Sequence, residues 1–89
     1  MGYYAAFLRE QDPEKSKKYR DQHMAFLAKK GDEGKIFARG RFNDGTGGLV
    51  IYIANSLEEA GKLAQEDPYI STGARTLDLH EWNMQTQSK

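Results

Sequence analysis

Residues 49–54 read Leu-Val-Ile-Tyr-Ile-Ala, a run with no charged side chain and with apolar residues on both of its alternating faces. Successive side chains of a strand point to opposite faces, so such a run is typical of a strand that is buried on both sides. Residues 3–8, Tyr-Tyr-Ala-Ala-Phe-Leu, have the same property. We therefore expect these two strands to lie in the middle of a sheet.

Two further segments alternate and are predicted as outer strands. In residues 35–42, Ile36, Ala38 and Gly40 alternate with Phe37, Arg39 and Arg41. The Gly- and Asp-containing turn 43–48 then predicts a hairpin with the strand 49–54. Residues 74–82 place Arg75, Leu77, Leu79 and Glu81 on one face and Thr76, Asp78, His80 and Trp82 on the other.

Two helices fill the gaps between these strands. Asp12-Pro13-Glu14 combines an N-cap, a proline at the first helical position and an early acid, and predicts a helix over residues 13–30. Ser56 and Glu59 have the spacing of a capping box at the start of the second helix. Asp67-Pro68 predicts its end, because the residue before proline avoids the helical region.

The resulting order is strand, helix, strand, strand, helix, strand. This βαββαβ order predicts a ferredoxin-like α+β fold, with a four-stranded antiparallel sheet and two helices on one face. The first and third strands are central in that topology, in agreement with their apolar character. We expect one domain over residues 1–89, with a core at about 3–82 and a polar tail at 83–89.

Two helices cover only one face of such a sheet, which leaves a second face that the pattern also predicts to be apolar. That face would contain Tyr3 or Tyr4, Phe37 and the outward residues of the strand 49–54. An exposed apolar patch of this kind is unusual on a monomer. We therefore expect a homodimer that packs through the open face of the sheet.

Composition excludes several classes of function. Basic and acidic side chains are equal in number, 13 each, so no basic surface predicts nucleic-acid binding. Cysteine is absent, which excludes thiolate metal sites and fits a reducing compartment. The N-terminal residues have no basic region and no long apolar run, so we predict a cytoplasmic protein without a membrane segment.

His23 is the first candidate for chemistry, since it lies on the apolar side of the first helix with Tyr19, Phe26 and Leu27. Histidine is the natural general acid or base at neutral pH, but a histidine in this position also suits a purely packing role. Both interpretations remain open on position alone.

Asp67 is the second candidate, because it follows a predicted helix whose dipole disfavours its charge. The alternative is that Asp67 caps a short turn through Tyr69 and Ile70, since Asp67-Pro68 repeats the Asp12-Pro13 pairing.

Three arginines could bind an anion, and other polar residues offer weaker signals. Arg20 precedes His23 by three residues, and Arg39 and Arg41 alternate on one face of their strand. Each of them also suits an exposed surface position. No ligand spacing supports a metal site that includes His80, and we predict no metal and no cofactor.

The following motifs together resemble the YciI (YCII-related) family of small bacterial proteins: Arg20-x-x-His23, Gly40, Ser56-x-Glu58-Glu59-Ala60, and Asp67-Pro68-Tyr69 followed by Gly73. The resemblance covers residues 3–82. It implies a fold of the dimeric α/β-barrel type and an active-site pair that maps onto His23 and Asp67. It also allows Asp67 both roles, with one carboxylate oxygen capping and the other holding the imidazole.

The resemblance implies a lyase- or isomerase-like reaction on a small, cyclic or phenolic compound. Arg20, Arg41 and Tyr69 are then the predicted substrate-binding residues, and the ligand is expected to be small and anionic. One departure is Arg41, which follows Gly40 where the family often has proline and changes the rim of the pocket. The alternatives are a non-catalytic, ligand-binding homodimer and a structural dimer in which His23 only packs.

Overall fold

The computed structural model describes residues 1–87. Its elements are β1 (Gly2–Glu10), α1 (Pro13–Lys18), α2 (Arg20–Asp32), β2 (Ile36–Arg41), β3 (Gly47–Ala54), α3 (Leu57–Gln65), α4 (Pro68–Ser71) and β4 (Arg75–Trp82). The strands form one antiparallel sheet in the order β2-β3-β1-β4. The predicted ferredoxin-like α+β fold is confirmed, with β1 and β3 in the centre. Of the predicted tail, residues 88 and 89 lie outside the described part.

The hydrophobic core lies between one face of the sheet and the helices α2 and α3. Its buried members are Tyr4, Ala6, Leu8, Leu27, Val50, Tyr52, Ala54, Ala60, Leu63 and Ala64. The start of α3 is fixed by Ser56, whose side chain accepts a hydrogen bond from the Glu59 N–H at 3.1 Å. Because α3 presents mainly alanine and leucine to the sheet, it packs closely against the central strands.

The prediction of one helix over residues 13–30 was wrong. The helix is divided at Tyr19, which has φ −101° and ψ 10° and separates α1 from α2. No proline or glycine marks this break, so its cause is tertiary. The Ser16 hydroxyl donates to Glu10 at 2.6 Å, and Lys15 Nζ donates to the Thr72 carbonyl at 3.1 Å. These bonds hold α1 to the end of β1 and to the loop before β4, while α2 follows the sheet.

The predicted alternation of β2 was also wrong, because a β-bulge interrupts its pairing with β3 between Ile36 and Ala38. Ile36 lies opposite Tyr52, but after the bulge Arg39 lies opposite Val50. Residues directly opposite each other in a sheet share a face. Ile36 therefore shares the helix-covered face with Arg39, and Ala38 lies on the other face.

Arg41 lies opposite Gly48 and shares the face of Arg39. The inserted residue of the bulge is Phe37, whose ring contacts Tyr3 edge-on at a centroid distance of 5.1 Å. Bulges re-aim side chains in this way because one strand gains a residue that has no partner. As a result, both arginines of β2 lie on the helix-covered face of the sheet.

The second face of the sheet is aromatic over β1 and β2 and at the end of β4, whereas β4 also places the polar Asp78 and His80 there. It presents Tyr3 and Phe7 from β1 together with Phe37 and Trp82, of which the last two are 49% and 44% exposed. Tyr4, the alternative to Tyr3 in the prediction, is buried in the core. Within residues 1–87, no helix has the length and apolar character that crossing a membrane requires.

Candidate active site

A cavity of about 270 Å³ lies between α2 and one end of the sheet. It is lined by Leu8, Arg20, His23, Met24, Leu27, Arg39, Gly40, Arg41, Gly48, Leu49, Val50, Tyr69 and Arg75. Four of the five predicted site residues are in this lining, namely His23, Arg20, Arg41 and Tyr69. The fifth, Asp67, is fully buried and contacts His23.

His23 and Asp67 are joined by a hydrogen bond of 2.7 Å between Nδ1 and Oδ1. Both residues are buried, His23 on α2 and Asp67 immediately before α4. A carboxylate only accepts hydrogen bonds, so it holds the proton on Nδ1 and leaves the lone pair of a neutral imidazole on Nε2. An imidazole in this tautomer can accept a proton at Nε2 while its charge is balanced by Asp67.

The position of Asp67 is fixed by its role as the N-cap of α4. Its backbone is extended, with φ −66° and ψ 125°, and its Oδ1 accepts a hydrogen bond from the Tyr69 N–H at 2.9 Å. The predicted cap is therefore present together with the contact to His23. The expected division between the two oxygens was wrong, because His23 approaches the oxygen that already accepts from Tyr69, and both bonds converge on Oδ1.

The other oxygen of Asp67, Oδ2, is buried and has no hydrogen-bond partner among the described residues. The same is true of the Tyr52 hydroxyl. Burial raises the pKa of the Tyr52 phenol, and the nearby charge of Asp67 raises it further. This phenol is consequently neutral at physiological pH and adds no charge to the site.

Tyr69 forms one wall of the cavity and lies between two planar groups. Its ring stacks on the His23 imidazole, with centroids 3.9 Å apart and planes inclined by 13°. The Arg75 guanidinium carbon lies 4.3 Å from the same centroid. Burial raises the pKa of the Tyr69 phenol, and the charges of Arg75 and Arg20 oppose that rise. The stack restricts the rotation of the imidazole, so the direction of its Nε2 is determined by packing as well as by Asp67.

Arg75 was not predicted as a site residue. It pairs with Glu10 at 3.7 Å, and its side chain is mostly buried. The sequence contains one signal that could have identified it. Arg75 occupies the same face of β4 as Leu77 and Leu79, so the alternation places a charged residue on the core side of the strand. Such a residue needs a partner or a ligand.

Gly48 forms part of the floor of the cavity at the start of β3. A Cβ atom at this position would lie 2.8 Å from the Gly40 carbonyl oxygen and 3.6 Å from Arg75 Nη1. A separation of 2.8 Å is too short for a carbon atom beside a backbone oxygen, and therefore the absence of a side chain keeps β2 and β3 in their observed pairing.

The remaining candidates lie away from the cavity. His80 and Asp78 form an exposed pair at 3.0 Å on the opposite face of the sheet from His23. Within residues 1–87, no three His, Cys, Asp or Glu side chains are grouped for metal binding. In the 43–48 turn, Asp44 accepts hydrogen bonds from the backbone and hydroxyl of Thr46, so its carboxylate is used within the turn.

Comparison with known proteins identifies the family. The model of the YCII-related domain matches residues 3–83. The chain belongs to the YCII-related domain family. Among curated proteins, it is similar to the uncharacterised protein YjpA of Bacillus subtilis (strain 168), with 32% identity over 74 residues. That alignment covers 79% of this chain and 87% of YjpA.

Among solved structures, the YCII-related fold of this chain is similar to that of 5-chloro-2-hydroxyhydroquinone dehydrochlorinase (TftG) from Burkholderia phenoliruptrix AC1100. The TM-score is 0.69 at 21% sequence identity, and the alignment covers 91% of this chain and 93% of TftG. That structure is a complex with 2,5-dihydroxybenzoquinone. At this level of identity the likeness establishes a common fold.

Proposed function

We propose that this member of the YCII-related family is a cytoplasmic enzyme that uses His23 and Asp67 for general acid–base chemistry on a small ring compound. The observation that supports this most directly is the buried 2.7 Å hydrogen bond between Nδ1 of His23 and Asp67. With the proton on Nδ1, the imidazole, which lines the cavity, has its lone pair on Nε2. A base held in one tautomer by a carboxylate is well suited to proton transfer.

In the proposed reaction, Nε2 removes a proton from the substrate, and the imidazolium that forms is stabilised by Asp67. The electron pair left on the substrate either expels a leaving group, as in an elimination, or moves to a ring oxygen, as in an isomerisation. Arg20 and Arg41 would stabilise the oxyanion of the substrate, and the Tyr69 ring would form a wall beside it. His23 then returns the proton to the product or releases it to water.

The structural neighbour supports this class of chemistry. TftG is named for a dehydrochlorination and was solved with an oxygen-substituted six-membered ring compound. Removal of HCl is an elimination that begins or ends with a proton transfer. An oxygen-bearing ring is also small enough to suit a cavity of about 270 Å³.

The test is a screen of hydroxylated ring compounds for turnover, followed by His23→Gln. Loss of a positioned general base lowers turnover by roughly 10²- to 10⁴-fold. Lys62→Gln is the control, because Lys62 is exposed on α3, away from both the cavity lining and the open face of the sheet. Equal turnover in His23→Gln and wild type would refute the proposal. A protein that binds ring compounds tightly without converting any would instead be the non-catalytic binder.

We also propose that the active form is a homodimer that packs through the open face of the sheet. Phe37 and Trp82 expose apolar surface there, next to Tyr3 and Phe7. Light scattering after size-exclusion chromatography should give about twice the 10.1 kDa chain mass. Phe37→Glu should shift the protein towards the monomer, whereas Leu57→Glu, an exposed leucine on α3, should not. A wild-type monomer at micromolar concentration would contradict this arrangement.

A further inference from the structure

The charged side chains that line the cavity are all of one type. Four of the five arginines of the chain line it, namely Arg20, Arg39, Arg41 and Arg75. No lysine, aspartate or glutamate of the described residues is in that lining. The complete sequence has equal numbers of basic and acidic side chains. A protein with no net charge therefore concentrates positive charge at this one cavity.

Most of that charge is uncompensated. Arg75 is paired with Glu10 at 3.7 Å, but in the described part of the chain Arg20, Arg39 and Arg41 have no carboxylate within 4.0 Å. Asp67, the nearest buried acid to the lining, is occupied by His23 and the cap of α4. Three guanidinium groups are thus free to bind a ligand.

The use of arginine and not lysine indicates the shape of the charge that is bound. A guanidinium presents its donors in a planar fork that fits the two oxygens of a carboxylate, whereas an ammonium is a point charge without that preference. The cavity, at about 270 Å³, is slightly below the usual range of small-molecule pockets, roughly 300 to 1,000 Å³. The ligand is consequently about the size of one substituted ring.

The four guanidinium groups come from two sides. Arg20 begins α2 and Arg75 begins β4, whereas Arg39 and Arg41 lie two residues apart on the same face of β2. The bulge at Phe37 is what turns both β2 arginines towards the cavity. A single negative charge on the ligand would leave most of the positive charge of these four groups unbalanced.

We infer that the cavity takes a compact, planar ligand with two oxyanionic groups, at least one of them a carboxylate. Arg39 and Arg41 bind one group, and Arg20 with Arg75 binds the other. This inference rests on the proposed function, because it names the class of substrate of that enzyme. Binding of such a ligand can nevertheless be measured without catalysis.

The experiment is a calorimetric titration of the full chain with benzamide, benzoate, phthalate and isophthalate at low ionic strength. We expect the better dicarboxylate to bind at least about tenfold more tightly than benzoate, and benzamide not to bind detectably. Added sodium chloride should weaken dicarboxylate binding more than benzoate binding, because more charges are screened. Equal affinity for benzamide, benzoate and both dicarboxylates, or no binding by any of them, would overturn the inference.

Variants of the β2 arginines give the residue-level test. Arg39→Gln and Arg41→Gln should each weaken dicarboxylate binding about tenfold and reduce the preference over benzoate. Arg41→Lys, which keeps the charge but loses the fork, should recover only part of the affinity. Arg9→Gln is the matched control, since Arg9 is the fifth arginine and is exposed on β1 outside the cavity lining. Equal weakening by Arg9→Gln and by Arg39→Gln would contradict the inference.

Repeating the titration with His23→Gln separates this inference from the proposed function. Retained dicarboxylate preference in that variant, with no turnover found in wild type, would refute the enzyme and support the ligand class. If the wild type converts a neutral compound, and Arg39→Gln and Arg41→Gln leave that turnover unchanged, the enzyme is supported and the ligand class is refuted.

Discussion

Each of the two histidines of the chain is paired with an aspartate, but the two pairs differ in almost everything except distance. His23 and Asp67 are 2.7 Å apart, and their side chains are 9% and 0% exposed. His80 and Asp78 are 3.0 Å apart, and theirs are 58% and 48% exposed. A short His–Asp distance is therefore not a criterion for a site in itself. Burial, a second partner for the acid and a fixed imidazole ring distinguish the first pair.

The origins of the two pairs differ as well. His80 and Asp78 are two residues apart on β4, so any strand brings them to the same face. His23 and Asp67 are 44 positions apart and meet only because α2 packs beside the cap of α4. The ring next to His80 is Phe7, edge-on at 6.2 Å, whereas Tyr69 stacks on His23 at 3.9 Å. Tertiary packing therefore brings His23 and Asp67 together, whereas local sequence is sufficient for His80 and Asp78.

The largest expected difference is in stability. Asp67→Ala removes a cap and a buried charged hydrogen bond together, and should lower the free energy of unfolding by about 3 kcal/mol. Asp78→Ala removes an exposed pair and should cost less than about 1 kcal/mol. Urea denaturation of both variants measures the two values. Similar losses in the two variants would remove the distinction between the pairs.

A smaller difference is expected in the coupling within each pair. Double-mutant cycles should give a coupling energy of roughly 1.5 to 3 kcal/mol for His23 with Asp67, as for other hydrogen bonds to charged groups. For His80 with Asp78 the coupling should be about 0.5 kcal/mol and should decrease with added salt, because exposed charges are screened. Salt-sensitive coupling in the buried pair would contradict the assigned burial.

The capping contribution can be isolated with Asp12, which caps α1 in the same Asp-Pro context but has no histidine partner. Its Oδ1 accepts a hydrogen bond from the Lys15 N–H at 3.2 Å. Asp12→Ala should cost about 1 kcal/mol, the usual value for an N-cap. The remainder of the Asp67→Ala loss then belongs to the contact with His23. Equal losses at positions 12 and 67 would show that Asp67 contributes only as a cap.

The smallest effect at neutral pH is expected for Tyr52→Phe, because the Tyr52 hydroxyl has no hydrogen-bond partner within residues 1–87. Burial and Asp67 raise the pKa of this phenol above its ordinary value of 10.0, so its neutral form favours the folded state. The corresponding stability is present below about pH 10 and is lost as the pH rises above that value. We therefore expect the urea midpoint to decrease less between neutral and alkaline pH in Tyr52→Phe than in the wild type.

Local patterns were sufficient to predict the positions of the strands and the helix caps, whereas the pairing of His23 with Asp67 was predicted only from the resemblance to the YCII-related family. The apolar runs of β1 and β3 identified the central strands, and the proline after Asp67 indicated the cap that positions it. The break at Tyr19 could not be predicted, because its cause is contacts with Glu10 and Thr72. The face of the sheet on which Arg39 and Arg41 lie could not be predicted either, since the bulge at Phe37 is defined only by pairing with β3. Arg75 was missed because its neighbours Tyr69 and Glu10 come from α4 and β1, although its position on the core side of β4 was a signal in the sequence.

The geometry of the site also depends on the absence of a side chain at Gly48. A methyl group there would meet the Gly40 carbonyl oxygen at 2.8 Å and Arg75 Nη1 at 3.6 Å. Gly48→Ala would therefore require β2 to move away from β3, and the arginines of β2 would move with it. A residue without a functional group therefore controls where the guanidinium groups of the cavity lie.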